Sequence, residues 1–206
     1  MKGILIVVSG FAGAGKGTIM KNLMERYPGF SLSVSATSRL PREGEKEGVN
    51  YFFKTREEFE EMIERQEFLE HAEYVGNYYG TPKAFVEKKL SEGMNVLLEI
   101  EIQGAMQIKK SFQDALLIFI MPPSAGILRE RLTKRGTESP EIIEKRLKRA
   151  VSESEGIENY DYIVINDEVD KCTEKLHNII LSAAMQPARQ RKFIEEVRND
   201  LKKMSS

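Results

Sequence analysis

The stretch GFAGAGKGT, Gly10 to Thr18, follows the apolar run Ile4-Leu5-Ile6-Val7-Val8 and precedes a segment with Ile19, Leu23 and Met24 at helical spacing. A buried strand, a glycine-rich turn, a lysine and a helix, in that order, predict a phosphate-binding loop. Gly10, Gly13 and Gly15 let the backbone curl so that the amides of the loop, Phe11, Ala12 and Ala14 among them, surround an anion. The helix beginning near Lys16 adds the positive end of its dipole, and Lys16 itself reaches the outer phosphates of a nucleoside triphosphate. A merely glycine-rich turn would account for the glycines but not for the lysine and both flanking elements.

One position departs from the usual pattern. A hydroxyl directly after the lysine ordinarily contacts magnesium, whereas Gly17 stands here and Thr18 follows one step later. The sequence therefore assigns no strong direct protein ligand and expects magnesium, arriving with the nucleoside triphosphate, to be held through water by Thr18 or by Glu99.

Working outward, the chain has 206 residues, 41% of them apolar and 31% charged, with a net charge of −1. That composition suits a soluble globular domain and gives no overall basic excess for a nucleic-acid partner. The single Cys172 and the two histidines, His71 and His177, exclude a Cys/His zinc site. No apolar run reaches the length of a membrane span, and Met1-Lys2-Gly3 leads straight into a strand, so neither membrane nor export signal is expected and the cytoplasm is the default. The sequence does not choose between monomer and homodimer.

Three further runs read as buried strands: NVLLEIEI (Asn95–Ile102), ALLIFIM (Ala115–Met121) and YIVI (Tyr162–Ile165). They alternate with helical patterns, which predicts an α/β fold with a mainly parallel sheet covered on both faces, a three-layer core. Residues 35–81 break that rhythm and read as an inserted α+β subdomain. There Thr55 and Glu58 form a capping box ahead of the apolar stripe Phe59, Met62 and Ile63. The charged stretch from Arg129 to Arg149, interrupted by Gly136 and Pro140, lies in a helical lid over 126–155. The core then comprises 1–34, 82–125 and 156–206, its last part helical and interrupted at Pro187.

Several groupings carry chemistry. Glu99 and Glu101, two apart at the end of an apolar run, share a strand face at the edge where parallel sheets bind ligands. Two readings stand: one carboxylate serves magnesium water and the other a ligand donor, or one pairs with a structural arginine. Ser35, Arg39, Arg42, Glu45 and Tyr51 fall in one segment, where two arginines around Pro41 can grip a phosphate; a solvated surface loop has the same composition. Glu70, with Thr81 and Ser35 as hydroxyl partners, suits guanine, whose N1–H and exocyclic amine present two donors side by side to one carboxylate; a half-buried surface acid near aromatics has the same pattern. Tyr79 lies in the same stretch. Arg131, Arg135 and Arg146 supply either lid charge for a transferring phosphoryl group or a solvated face. His71, His177, Cys172 and the methionines read as packing or surface residues.

In this order the segments GFAGAGKGT, SVSATSRLPREGE with VNYFF, FLEHAEYVGNYYGTP, LLEIEIQG, RLTKRGTE, EKRL and VIND give a chain that resembles guanylate kinases, the P-loop kinases that transfer a phosphoryl group from ATP to GMP. The resemblance implies that Ser35, Glu70, Thr81 and Glu101 read guanine, with Glu99 beside them. Arg39, Arg42, Tyr51 and Tyr79 would hold the GMP or dGMP phosphate, and Glu45 would orient the arginines. Lys16 and the loop would hold ATP, Asn166 would lie near its base or ribose, and Lys16, Arg39, Arg135 and Arg146 would act on the transferring group. Two positions differ from the family's usual form: Gly17 in place of Ser, and Glu101 in place of Asp.

Overall fold

The computed structural model describes residues 2–74, 76–134 and 139–205. The run that precedes the glycine loop forms β1 (Leu5–Gly10), buried throughout except at Gly10. It lies at the centre of a sheet with β2 (Phe30–Leu32), β7 (Asn95–Glu99), β8 (Leu116–Met121) and β9 (Tyr162–Ile165), in the order β2-β7-β1-β8-β9. Every adjacent pair is parallel, and the register sets Val7 beside Leu98 and Leu117. Alternate residues of β1, with Ile4 just before it, supply two cores. Ile4, Ile6 and Val8 pack with Leu23 of α1 (Lys16–Arg26) and with Leu176 and Ile180 of α7 (Val169–Ala184). On the other face, Leu5 and Val7 pack with Val86 and Leu90 of α3 (Lys83–Ser91) and with Ala105 and Ile108 of α4 (Ile102–Ser111). Helices on both faces explain why the strands read as unbroken apolar runs rather than as alternating ones.

A second sheet is built from β3 (Ala36–Thr37), β4 (Phe52–Phe53), β5 (Phe68–Tyr74) and β6 (Asn77–Pro82), in the order β4-β3-β6-β5. Helix α2 (Arg56–Glu64) packs on it. Its capping box is formed: the Glu58 amide donates to Thr55 Oγ1 at 3.1 Å and the Thr55 amide to Glu58 Oε2 at 2.8 Å. Phe59 is fully buried, its ring stacked at 4.3 Å on Phe68 and at 5.2 Å on Tyr78. Beyond β8, α5 (Ala125–Lys134) and α6 (Pro140–Ser154) are joined by an Arg129–Glu144 ion pair. The chain ends in a 3-10 turn at Pro187–Arg189 and α8 (Arg191–Met204).

Two expected strands need correction. NVLLEIEI leaves the sheet at Glu99, with Glu101 as the N-cap of α4, because the last three residues serve the next helix. YIVI is an edge strand in which only Val164 is buried while Ile163 and Ile165 stay half exposed; an apolar run does not by itself distinguish a covered strand from an edge. Strands β2, β3 and β4, two or three residues each, are too short to leave a pattern. Cys172 is fully buried, and His177 stacks on Tyr27 at 3.6 Å, so both are packing residues.

Phe59→Ala removes the ring on which the second sheet and its helix meet and is expected to cost about 3–5 kcal/mol. Urea unfolding measures it, and a midpoint equal to that of the parent protein would show that this contact does not hold the second sheet.

Candidate active site

The glycine loop is fixed from behind. Gly13 and Gly15 take φ of 86° and 91°, and a Cβ at Gly15 would stand 2.4 Å from Asn166 Nδ2. That amide donates to the Ala14 carbonyl at 2.8 Å, and the Arg131 guanidinium donates to the carbonyls of Asn166 at 2.8 Å and Ala14 at 3.5 Å. Asn166 is 3% exposed. Its side chain is therefore applied to the back of the loop, where the resemblance implied a place near the base or ribose of ATP. Arg131, grouped in the sequence with Arg135 and Arg146, braces the loop as well, because α5 turns it back toward β9. Lys16 lies over the front, its ammonium donating to the carbonyls of Gly10 at 2.6 Å and Phe11 at 3.3 Å.

Across the cleft, Glu70 comes from β5 at a register shift between Phe68 and His71, where the strand re-aims its side chains. It is 7% exposed, and Thr81 of β6 donates its hydroxyl to Oε1 at 2.6 Å. Burial pushes the Glu70 carboxyl above its ordinary range, and the hydroxyl and amide of Thr81 only partly offset this. Glu70 lines a cavity of about 370 Å³ with Ser35, Tyr51, Tyr79, Glu99 and Glu101.

Beside this cavity, Arg39 donates from one guanidinium nitrogen to both Glu45 oxygens, at 2.8 and 3.0 Å, and from another to the Leu40 carbonyl at 2.7 Å. Glu45 also accepts from the Arg42 backbone at 2.7 Å, so it fixes Arg42 through the main chain while the Arg42 side chain stays exposed. Hydrogen bonds from Arg39 and then Arg42 hold the Glu45 carboxyl below its usual range. The Arg39 guanidinium lies 5.4 Å from the centre of the Tyr51 ring, and the Tyr51 and Tyr79 rings meet edge to face at 6.1 Å. Burial raises the Tyr51 hydroxyl, so it is a neutral donor at neutral pH.

A second cavity, of about 560 Å³, is lined by Gly10, Lys16, Ser33, Glu99, Arg146 and Arg149. The two cavities adjoin, sharing Ser35, Tyr51, Glu99, Ile100, Glu101 and Arg149 as lining residues. Glu99 and Glu101 are exposed, not buried as two acids on one strand face would be, because the strand ends between them. Glu101 forms an ion pair with Arg149, the pairing with an arginine that the sequence left open. Glu99 Oε2 stands 3.8 Å from where a Cβ on Gly17 would be, and Thr18 is exposed in the same turn of α1. Arg135 lies outside the described residues. Arg149 was missed, although it follows Arg146 by one helical turn on α6; Ser33, whose hydroxyl is buried without a hydrogen-bond partner among the described residues, carries no sequence signal.

A parallel sheet with a glycine loop at its carboxyl edge, facing a second sheet across a cleft, defines the nucleotide-kinase class of α/β proteins. A family profile described as guanylate kinase matches residues 2–183. The guanylate kinase of Caldanaerobacter subterraneus subsp. tengcongensis is 50% identical over 97% of each chain. That of Desulfitobacterium hafniense is 51% identical over 87% of this chain and 90% of its own. The crystal structure of guanylate kinase from Anaplasma phagocytophilum superposes with a TM-score of 0.75 at 34% identity, covering 95% of both chains. The chain belongs to the guanylate kinase family.

Because the folded protein raises the Glu70 carboxyl, the native state binds its proton more tightly than the unfolded chain, and ionising it costs stability. Glu70→Gln removes that cost. The variant's melting temperature is therefore expected to exceed the parent's at pH 8, with the gap closing as pH falls toward the ordinary value of 4.5. A gap independent of pH would contradict the assigned burial.

Proposed function

We propose that this chain transfers the γ-phosphoryl group of ATP directly to a phosphate oxygen of GMP, and by the same base and phosphate contacts of dGMP, in the cytoplasm. The observation that carries the proposal is the wall the two cavities share: the glycine loop borders one, and Glu70, held by the Thr81 hydroxyl, lines the other. ATP phosphates lie in the loop, where Lys16 exchanges the Gly10 and Phe11 carbonyls for phosphate oxygens. Guanine lies against Glu70, which accepts from N1–H and the amine together; adenine presents an acceptor at N1 and is repelled there. Arg39, Arg42, Tyr51 and Tyr79 take the acceptor phosphate, Arg39 being held in place by Glu45. Arg146, on α6 over the loop cavity, and Arg135 neutralise charge as the phosphoryl group moves.

The attacking oxygen is already anionic, so no protein general base is needed; alignment and charge neutralisation lower the barrier. Closure of the second sheet and of α5 and α6 excludes water and suppresses hydrolysis of ATP. The donor set suits magnesium in its common form, with few protein oxygens and much water and phosphate. No trio of His, Cys, Asp or Glu comes together among the described residues, while Glu99 and Thr18 flank Gly17 beside Lys16 and would hold the ion through water. When bound, magnesium supplies further positive charge to the outer phosphates of ATP.

A kinase for another nucleoside monophosphate, which the GKGT ending of the loop suggests, is disfavoured by the buried carboxylate. A non-catalytic binding module is disfavoured by the retention of Lys16 and the loop glycines.

Lys16→Met is expected to abolish transfer while GMP binding, measured by calorimetry, stays within about threefold of the parent. Unchanged turnover would overturn the role given to the loop, and loss of GMP binding would show that the two cavities do not work as separate subsites.

A further inference from the structure

Gly104 sits in the first turn of α4, buried, with ordinary helical φ. A glycine within a helix costs about 0.5–1 kcal/mol relative to alanine, and no left-handed conformation requires one here. The reason is space. A Cβ at this position would stand 2.8 Å from Glu70 Oε2 and 3.4 Å from Ile100 Cδ1, the first closer than a methyl group and an oxygen can approach. Glu70 has little room to yield, since Thr81 holds its other oxygen at 2.6 Å and the residue is 7% exposed.

The first turn of α4 is also electrostatically suited to this neighbour. Its N-cap, Glu101, makes no side-chain hydrogen bond to the turn, so the positive end of the helix is uncapped where the Glu70 carboxylate touches it. Close approach to that end opposes the burial that disfavours the ionised carboxylate. Ionisation is what a guanine reader needs, because a protonated carboxyl would present a donor to a donor edge.

We propose that Gly104 is a specificity-determining positioning residue: its missing side chain lets the Glu70 carboxylate rest against the first turn of α4, ionised and at the depth at which it meets the guanine edge. This rests on the reading of Glu70 as the guanine-binding carboxylate. Gly104 also borders the Glu70 cavity, and the role assigned to it is to position Glu70, whose Oε2 is the atom a Cβ there would meet first.

The test is a double-mutant cycle of Gly104→Ala and Glu70→Asp in the full chain, with KM for GMP, KM for ATP and kcat measured and folding followed by thermal unfolding. Alanine is the better helix former, so the single variant is expected to unfold cooperatively. Gly104→Ala should raise KM for GMP by about tenfold or more, while KM for ATP stays within about twofold and kcat changes far less than KM for GMP. Glu70→Asp should raise KM for GMP in the parent but lower it in the Gly104→Ala background, where the shorter side chain withdraws the carboxylate from the new methyl group. Unchanged KM for GMP in Gly104→Ala, an equal rise in both KM values, or additive effects in the double variant would each overturn the role of Gly104. No effect of Glu70→Asp in the parent would instead overturn the reading of Glu70.

Discussion

Everything in the cleft depends on the parallel pairing of β1 between β7 and β8. The register places Val8 beside Glu99, where β7 ends, while β1 runs on beside β8 to Gly10, and the Ser9 hydroxyl donates to the Ile100 carbonyl at 2.7 Å, so the glycine loop and the Glu99–Glu101 turn leave the sheet as neighbours. Because β1 is central and buried on both faces, two hydrophobic cores hold that placement. The sheet order also reverses direction there, β1 leading to β2 on one side and β7 leading to β8 on the other, which opens the crevice where ligands of parallel sheets are bound.

Several charged groups of the cleft already have partners within the protein. The Lys16 ammonium rests on two carbonyls of its own loop, Arg39 lies in the grip of Glu45, and Arg149 pairs with Glu101. Such pairing limits the cost of holding charge in a half-enclosed space and keeps each side chain near one geometry. Glu70 differs in kind. The partner shown for it is the neutral residue Thr81, so burial raises its carboxyl above the ordinary range and its ionisation is sensitive to the shape around it.

Much of this was legible in the residues. The strand–glycine loop–lysine–helix order gave the core, and the Thr55–Glu58 capping box placed α2 to the residue, because capping is a local hydrogen-bond exchange with a fixed spacing. Glu70 and Thr81 were nominated from donor and acceptor chemistry, and the structure brings them within 2.6 Å across antiparallel strands. What failed were features decided by tertiary contact. The end of β7 at Glu99 reflects the start of α4, and the exposure of Ile163 and Ile165 reflects their place at the sheet edge. The bracing of Ala14 by Arg131 and Asn166 joins residues over a hundred positions apart, which no local pattern encodes. Gly104 went unremarked because a single glycine in a helix has meaning only once its neighbour in space is known.

The central claim, that the loop cavity and the Glu70 cavity together carry out transfer to a guanine nucleotide, is tested most directly by acceptor choice. Steady-state transfer from ATP to GMP, AMP, CMP and UMP, measured at equal concentrations, should show turnover of GMP far above that of the other three, as a buried carboxylate facing a donor edge requires. Turnover of AMP equal to or faster than that of GMP would contradict the account.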